Sequence, residues 1–149
     1  MAATKRETVK LLCKSIITRL ENKETIQFPP RLRQVVADEV FGLVGPSIIT
    51  EEEIREKTLA RMGARGEALA ETGLAESDQY KTAKKMVREQ LGDDEMNGFF
   101  FQKSVKAIAQ IISAYLMRSS HIDDVFEEDA ELERQIVETI QKFDAAQAH

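Results

Sequence analysis

Apolar residues recur along this chain with the period of an α-helix, and this pattern restricts the fold more than any other feature of the sequence. In the first stretch the apolar side chains share one helical face. They are Val9, Leu12, Cys13, Ile16, Ile17 and Leu20. Thr4, followed by Glu7 three residues later, has the spacing of a capping box. We therefore predict a first helix that begins after Thr4 and ends near Asn22.

The second predicted helix lies between prolines and glycines. Pro29 and Pro30 prevent the first helix from continuing, and Pro30 can open the next one. Gly45 and Pro46 end it. Its predicted inner face consists of Leu32, Val36, Val40 and Leu43.

A capping signal starts the third predicted helix, in the run ITEEEIREKTLARM. Thr50 is the predicted N-cap, and the glutamates that follow favour the positive end of a helix. Glycines interrupt the helical pattern over residues 63–76, so we predict an ordered loop there. Ser77 starts a fourth helix that ends near Leu91.

Residues 92–98, GDDEMNG, form the strongest break in the pattern and the best candidate boundary. A fifth helix is predicted from Gly98 or Phe99 to about Arg118, and a sixth over residues 129–146. The sequence thus predicts an all-α fold, a compact bundle of about six helices. Residues 1–92 form an N-terminal four-helix segment, and residues 93–149 form a helical hairpin packed on it within a single domain.

Three adjacent phenylalanines open the fifth predicted helix. Each helical step turns by about 100°, so one core face cannot receive all three rings. Phe101 continues the apolar face, whereas Phe99 and Phe100 turn away from it. We expect these two rings to be exposed at an interface between copies in a homo-oligomer. The alternative is an extended segment that buries all three rings beneath the third and fourth helices.

The last two predicted helices resemble a second copy of the first two. A shift of 96 residues places Val9 on Val105 and Ile16 on Ile112, and a shift of 100 places Val36 on Ile136. We therefore predict an internal helical-hairpin repeat, residues 5–43 and 101–143, arranged about a pseudo-twofold axis.

Three runs of the sequence resemble a known family. They are KSIITRLENKETIQFP, ITEEEIREKTLARM and ESDQYKTAKKMVREQL. They are similar to the amphipathic helix ending in "FP", the acidic helix and the closing helix of the bacterial family called domain of unknown function 507. The resemblance covers residues 8–91, with residues 102–143 as a partial second copy. Gln79 and Tyr80 stand where the family tends to carry Trp. The resemblance implies an all-α bacterial cytoplasmic protein and supplies no chemistry.

The net charge of −5 is unevenly distributed. Residues 1–35 hold eight Lys and Arg against three Glu, whereas residues 93–149 hold five against twelve Asp and Glu. Two basic groups could bind an anion, one in the N-terminal region and one on the fourth helix. The candidates are Lys10, Lys14, Arg19, Arg31, Arg33, Lys81, Lys84, Lys85 and Arg88. They make a nucleic acid the alternative partner, although solvated helix faces would give the same pattern.

The reactive residue types offer little for catalysis. Cys13 lies on the apolar face of the first helix, which indicates a core thiol rather than a nucleophile. Residues 121–133, which begin at His121, could supply metal ligands, but a polar loop between helices explains them equally. No apolar run reaches the roughly 20 residues of a membrane span. We expect a cytoplasmic, non-enzymatic protein without cofactors that acts through contacts with an unidentified protein partner.

Overall fold

The computed structural model describes residues 5–60, 78–91 and 94–144. The described helices are α1 (Lys5–Asn22), α2 (Arg33–Val44), α3 (51–60), α4 (Asp78–Leu91), α5 (Val105–Arg118) and α6 (Asp129–Lys142). The strands are β1 (Ile26–Gln27), β2 (Ile48–Thr50), β3 (Asp94–Met96), β4 (Phe99–Phe101) and β5 (Asp124–Val125). The predicted helical fold class is confirmed. The predicted loop over residues 63–76, the predicted cap at Thr4 and the predicted helix start at Ser77 lie outside the described residues.

Helices α1, α2, α5 and α6 surround the main hydrophobic core. All six apolar residues predicted for the inner face of α1 are buried. The prediction for α2 is wrong at one position, because Leu43 is 50% exposed while Val44 is buried. Successive steps of four residues carry the buried face from Val36 through Val40 to Val44. Leu43, one residue before Val44, is turned by about 100° from it around the helix axis.

The order helix, strand, helix occurs twice, once in each predicted hairpin. Helix α1 packs on α2 and α6, and α5 packs on α6 and α2. The short strands between the helices pair antiparallel, with Ile26 opposite Val125 and Gln27 opposite Asp124. A pseudo-twofold axis between β1 and β5 would produce this set of contacts. The duplication itself stays a prediction.

The three phenylalanines form strand β4 and do not begin a helix. Strand β4 lies between β2 and β3 in a three-stranded antiparallel sheet. Helix α5 begins only at Val105, where the Ser104 hydroxyl accepts a hydrogen bond from the Ala107 amide at 3.0 Å. The rings of Phe99, Phe100 and Phe101 are only 4%, 3% and 1% exposed. The predicted exposure of Phe99 and Phe100 is therefore wrong, and both are core residues of an extended segment.

A tight turn brings β3 back along β4. Asn97 and Gly98 have positive φ angles of 54° and 81°, as a two-residue hairpin turn requires. The side-chain Nδ2 of Asn97 also donates hydrogen bonds to the carbonyl oxygens of Ile140 at 3.1 Å and Phe143 at 2.6 Å. These bonds satisfy carbonyl groups at the end of α6, which ends at Lys142 and not at residue 146 as predicted.

Arg6 fixes the start of α1 against the segment between α2 and α3. Its guanidinium donates to the carbonyl oxygens of Gly45 at 3.0 Å and Ile48 at 2.8 Å, and to Glu53 Oε1 at 2.6 Å. Burial raises the pKa of Glu53, but hydrogen bonds from Arg6 and Thr50 and the charge of Arg6 together hold it below the ordinary value. The Thr50 hydroxyl accepts from the Glu53 amide at 3.3 Å, which confirms the predicted cap.

We expect Phe101→Ala to lower the free energy of unfolding by about 3–5 kcal/mol, because it leaves a cavity in the main core. The matched control is Phe126→Ala, since the Phe126 ring is 55% exposed. That change should alter stability by less than about 0.5 kcal/mol. Urea unfolding followed by circular dichroism measures both values. Equal losses would contradict the placement of β4 in the core.

We expect Glu53→Gln to destabilise the protein by about 0.5–1 kcal/mol at neutral pH, because the Arg6 pair is partly exposed to solvent. A lowered pKa in the folded state stabilises the protein above the ordinary glutamate pKa, and this contribution disappears as the pH falls through the folded-state pKa. The stability difference between wild type and Glu53→Gln should therefore shrink below pH ~4.3. A difference that stays constant from neutral to acid pH would show that the charge of Glu53 is unimportant.

Candidate functional site: a basic cleft between α1 and α6

An open cleft of about 630 Å³ lies between α1 and the C-terminal end of α6. Five cationic side chains line it: Lys14, Arg19, Lys23, Arg33 and Lys142. The remaining lining residues are Ser15, Thr18, Asn22, Thr139, Phe143 and Asp144. We call this surface the basic cleft. It concentrates positive charge on a chain whose net charge is −5.

The period of α1 places its part of the lining on one side of the helix. Lys14, Thr18 and Asn22 follow one another at steps of four residues, and so do Ser15, Arg19 and Lys23. These two rows lie beside the buried face of α1. The opposite wall comes from the last turn of α6, whose position the Asn97 side chain fixes.

Glu138 is the main carboxylate beside the cleft. Its Oε1 atom lies 2.5 Å from Arg19 Nη2, 3.4 Å from Lys142 Nζ and 3.5 Å from Lys23 Nζ. Hydrogen bonds from Lys142 and Arg134 lower the pKa of Glu138 to about 2. One carboxylate is thus shared by several cations, so positive charge remains in excess around it.

The positive charge that α1 and α2 contribute to the cleft is also only partly neutralised. Arg33 makes a two-point contact with Glu21, with Nε at 2.8 Å and Nη2 at 3.1 Å from the carboxylate oxygens. Lys14 contacts no carboxylate within residues 5–60, 78–91 and 94–144. The Nε atom of Arg19 is buried and donates to no acceptor in the same ranges. Within the described ranges the cleft therefore contains an ammonium group without a carboxylate partner, which favours an anionic ligand.

Only three of the nine predicted anion-binding residues meet in the cleft, namely Lys14, Arg19 and Arg33. Two members of the cleft, Lys23 and Lys142, are absent from the predicted set. Lys23 could have been found, because it follows Arg19 at a helical step of four residues. No local signal identifies Lys142, which reaches the cleft only through the packing of α6 on α1.

The other six predicted residues lie elsewhere. Lys10 stands over the Phe41 ring at 5.4 Å, and Arg31 is exposed in the turn before α2. On α4, Lys84 pairs with Glu51 at 2.5 Å, and Arg88 pairs with Glu95 at 2.8 Å. The remaining two, Lys81 and Lys85, are exposed on the same helix. Lys84 and Arg88 thus hold α4 against its neighbours.

The acidic residues near His121 do not converge on a metal site. His121 Nε2 lies 3.3 Å from Glu39 Oε1, which also accepts a hydrogen bond from the Tyr115 hydroxyl at 2.7 Å. Across the described ranges, no three His, Cys, Asp or Glu groups are arranged to hold an ion. The carboxylates of residues 123, 124 and 127–129 are exposed.

Cys13 is fully buried between apolar neighbours in the main core, which confirms its predicted place. Burial raises the pKa of the thiol to about 12, although the nearby charge of Arg6 acts in the opposite direction. Since the thiolate is the reactive form, this environment suppresses nucleophilic chemistry.

We expect Cys13 to remain unmodified by a chromogenic disulfide reagent in the native protein and to react fully after denaturation. Burial and the raised pKa both oppose formation of an accessible thiolate. The control is Ser120→Cys, which places a second thiol at an exposed position and should add one rapidly reacting equivalent. Rapid modification of the wild-type protein would place Cys13 outside the core.

No helix in the described parts of the chain has both the length and the apolar composition needed to cross a bilayer.

The model of a family described as "Protein of unknown function (DUF507)" matches residues 3–148. The match extends the resemblance beyond residues 8–91 to nearly the whole chain, so the second hairpin belongs to the region that the family shares. Neither a curated protein nor a solved structure matches the chain.

Proposed function

We propose that this chain, which belongs to the DUF507 family, is a non-enzymatic helical protein that acts through protein–protein contacts. Its basic cleft would receive an acidic segment of the partner. The observation that carries the proposal is the excess of cations in the cleft, where five Lys and Arg side chains meet three carboxylates, those of Glu21, Glu138 and Asp144.

The size of the cleft suits a short peptide segment. From Lys14 to Lys23 the α1 wall spans nine residues, or about 14 Å. An extended chain covers that length with about four residues. The open shape lets such a segment enter from the side, and the Phe143 ring offers it an apolar contact. Carboxylates at alternate positions of the segment could then meet cations on both walls.

An enzymatic alternative has less support. The cysteine and the histidine of the described ranges are both engaged in the fold. The Cys13 thiol is buried with a raised pKa, and the His121 ring contacts Glu39. General base catalysis needs a group that reaches substrate, which neither arrangement favours.

A nucleic-acid partner is the second candidate, and the separation of the predicted cations weighs against it. Only three of the nine, Lys14, Arg19 and Arg33, lie together in the cleft, and the other six are spread over other surfaces. Affinity for nucleic acid rises with the number of phosphates that free cations neutralise. The exposed pair Lys81 and Lys85 on α4 is the feature that keeps this alternative testable.

We expect a fluorescein-labelled hexaglutamate peptide to bind the wild-type protein and to bind Lys14→Glu/Lys142→Glu at least tenfold more weakly. Reversing two charges in the cleft places carboxylates against the carboxylates of the peptide. The matched control is Lys81→Glu/Lys85→Glu, which makes the same change in net charge on α4. It should retain wild-type affinity. Fluorescence anisotropy at low ionic strength measures all three proteins.

Equal losses in the two double variants would show that binding depends on net charge and not on the cleft. A further titration with non-specific double-stranded DNA separates the second candidate. If DNA binds with a steep salt dependence and Lys81→Glu/Lys85→Glu abolishes it, the nucleic-acid function replaces the one proposed. Circular dichroism and thermal unfolding confirm that each variant is folded.

A further inference from the structure

We infer that the partner of the basic cleft is a second copy of this chain, which inserts its own acidic segment. We define the acidic segment as residues Asp123–Asp129, which run from the residue before β5 to the first residue of α6. This inference rests on the proposed function, because it assigns an occupant to the same cleft.

The acidic segment has the charge that the cleft requires. Its sequence is DDVFEED, with five carboxylates in seven residues. All five of these residues are exposed, and none of their side chains contacts a cation within the described ranges. Adjacent exposed carboxylates repel one another, so an external source of positive charge stabilises them.

An exposed aromatic ring lies in the middle of the acidic segment. Phe126 is 55% exposed, the most exposed of the large apolar side chains in the described ranges. Its amide nitrogen donates to the carbonyl oxygen of Thr25 at 2.8 Å, which fixes the backbone and leaves the ring outside the core. A ring flanked by carboxylates complements a cleft that places Phe143 among cations.

The acidic segment makes no ion pair with the cleft of its own copy within the described ranges. Pairing of β5 with β1 and the start of α6 at Asp129 hold its backbone, and Lys142 lies 13 residues further along α6, about 20 Å away. The Phe126–Thr25 hydrogen bond brings the segment closer to Lys23, yet none of its five carboxylates contacts a cation of the cleft within the described ranges. The charge of the segment is therefore unmatched in its own copy and available to the cleft of a second one.

Each copy carries one cleft and one acidic segment, so two copies can exchange the contact reciprocally. Such an exchange satisfies both surfaces and closes the assembly about a twofold axis. The Phe99 and Phe100 rings take no part, because both are buried within one chain. The contact is mainly electrostatic and should weaken between about 0.01 M and about 1 M salt, where the Debye length falls from about 30 Å to about 3 Å.

Sedimentation velocity of the full chain tests the inference. We expect the wild type to associate with increasing concentration at low salt. Lys14→Glu/Lys142→Glu reverses two charges of the cleft, and Asp123→Lys/Glu127→Lys reverses two charges of the acidic segment. Each variant alone should associate at least tenfold more weakly than the wild type, because like charges then oppose each other. Lys81→Glu/Lys85→Glu should associate as the wild type does.

The decisive measurement is an equal mixture of the two impaired variants. The intact cleft of one variant then meets the intact acidic segment of the other, so the mixture should associate more strongly than either variant alone. A mixture that stays monomeric, or a wild type that stays monomeric at low salt, overturns the inference.

The hexaglutamate titration keeps this outcome separate from the proposed function. If the wild type stays monomeric but still binds the peptide through the cleft, the second copy is excluded as partner and the proposed function stands. If neither the peptide nor a second copy binds, both proposals fail.

Discussion

Strand β4 connects the two hydrophobic cores of the protein, because neighbouring side chains on a strand point to opposite faces. Phe99 and Phe101 lie in the main core, where the Phe99 ring is 5.7 Å from that of Phe143. Phe100 lies in a second, smaller core that includes Ile54 of α3 and Val87 of α4. The turn before β4 supplies the Asn97 side chain, whose Nδ2 donates to the last carbonyl groups of α6. The strand thus fixes the wall of the basic cleft that α6 provides.

The sequence predicted helices well and the sheet poorly, for a physical reason. A helix buries residues that recur within one segment, so the face of α1 and the place of Cys13 can be inferred locally. The strand Phe99–Phe101 pairs with Ile48–Thr50, about fifty residues earlier, and three apolar residues show no period. The available signal for the strand is the pair Asn97–Gly98, which is typical of a two-residue hairpin turn. This pair falls within the predicted boundary over residues 92–98.

The candidate site was only partly predictable, because its charge depends on tertiary packing. The basic residues of α1 share one segment, whereas Lys142 belongs to the acidic C-terminal region. Ion pairs between residues far apart in the sequence also cannot be inferred from a single stretch of sequence. Arg88 appeared as an anion-binding candidate, yet it pairs with Glu95 and stands 5.0 Å over the Phe100 ring. Composition gave the number of cations but not which of them remain unpaired.

The two hairpins share an arrangement but differ in the chemistry of their corresponding faces. The α1–α6 contact holds the Arg19–Glu138 pair, and the α5–α2 contact holds the Tyr115–Glu39 hydrogen bond. The predicted shift of 96 residues places Arg19 on Tyr115, so a cation corresponds to a neutral phenol. The α1–α6 contact is basic, whereas α2 carries the exposed Leu43 four residues after Glu39. The basic cleft therefore lies at the α1–α6 contact, whereas the described residues of the α5–α2 contact include the Tyr115–Glu39 hydrogen bond. With one such cleft in each copy, the reciprocal exchange inferred above would match each acidic segment to one cleft, whereas two equivalent clefts would leave half of the positive charge unmatched.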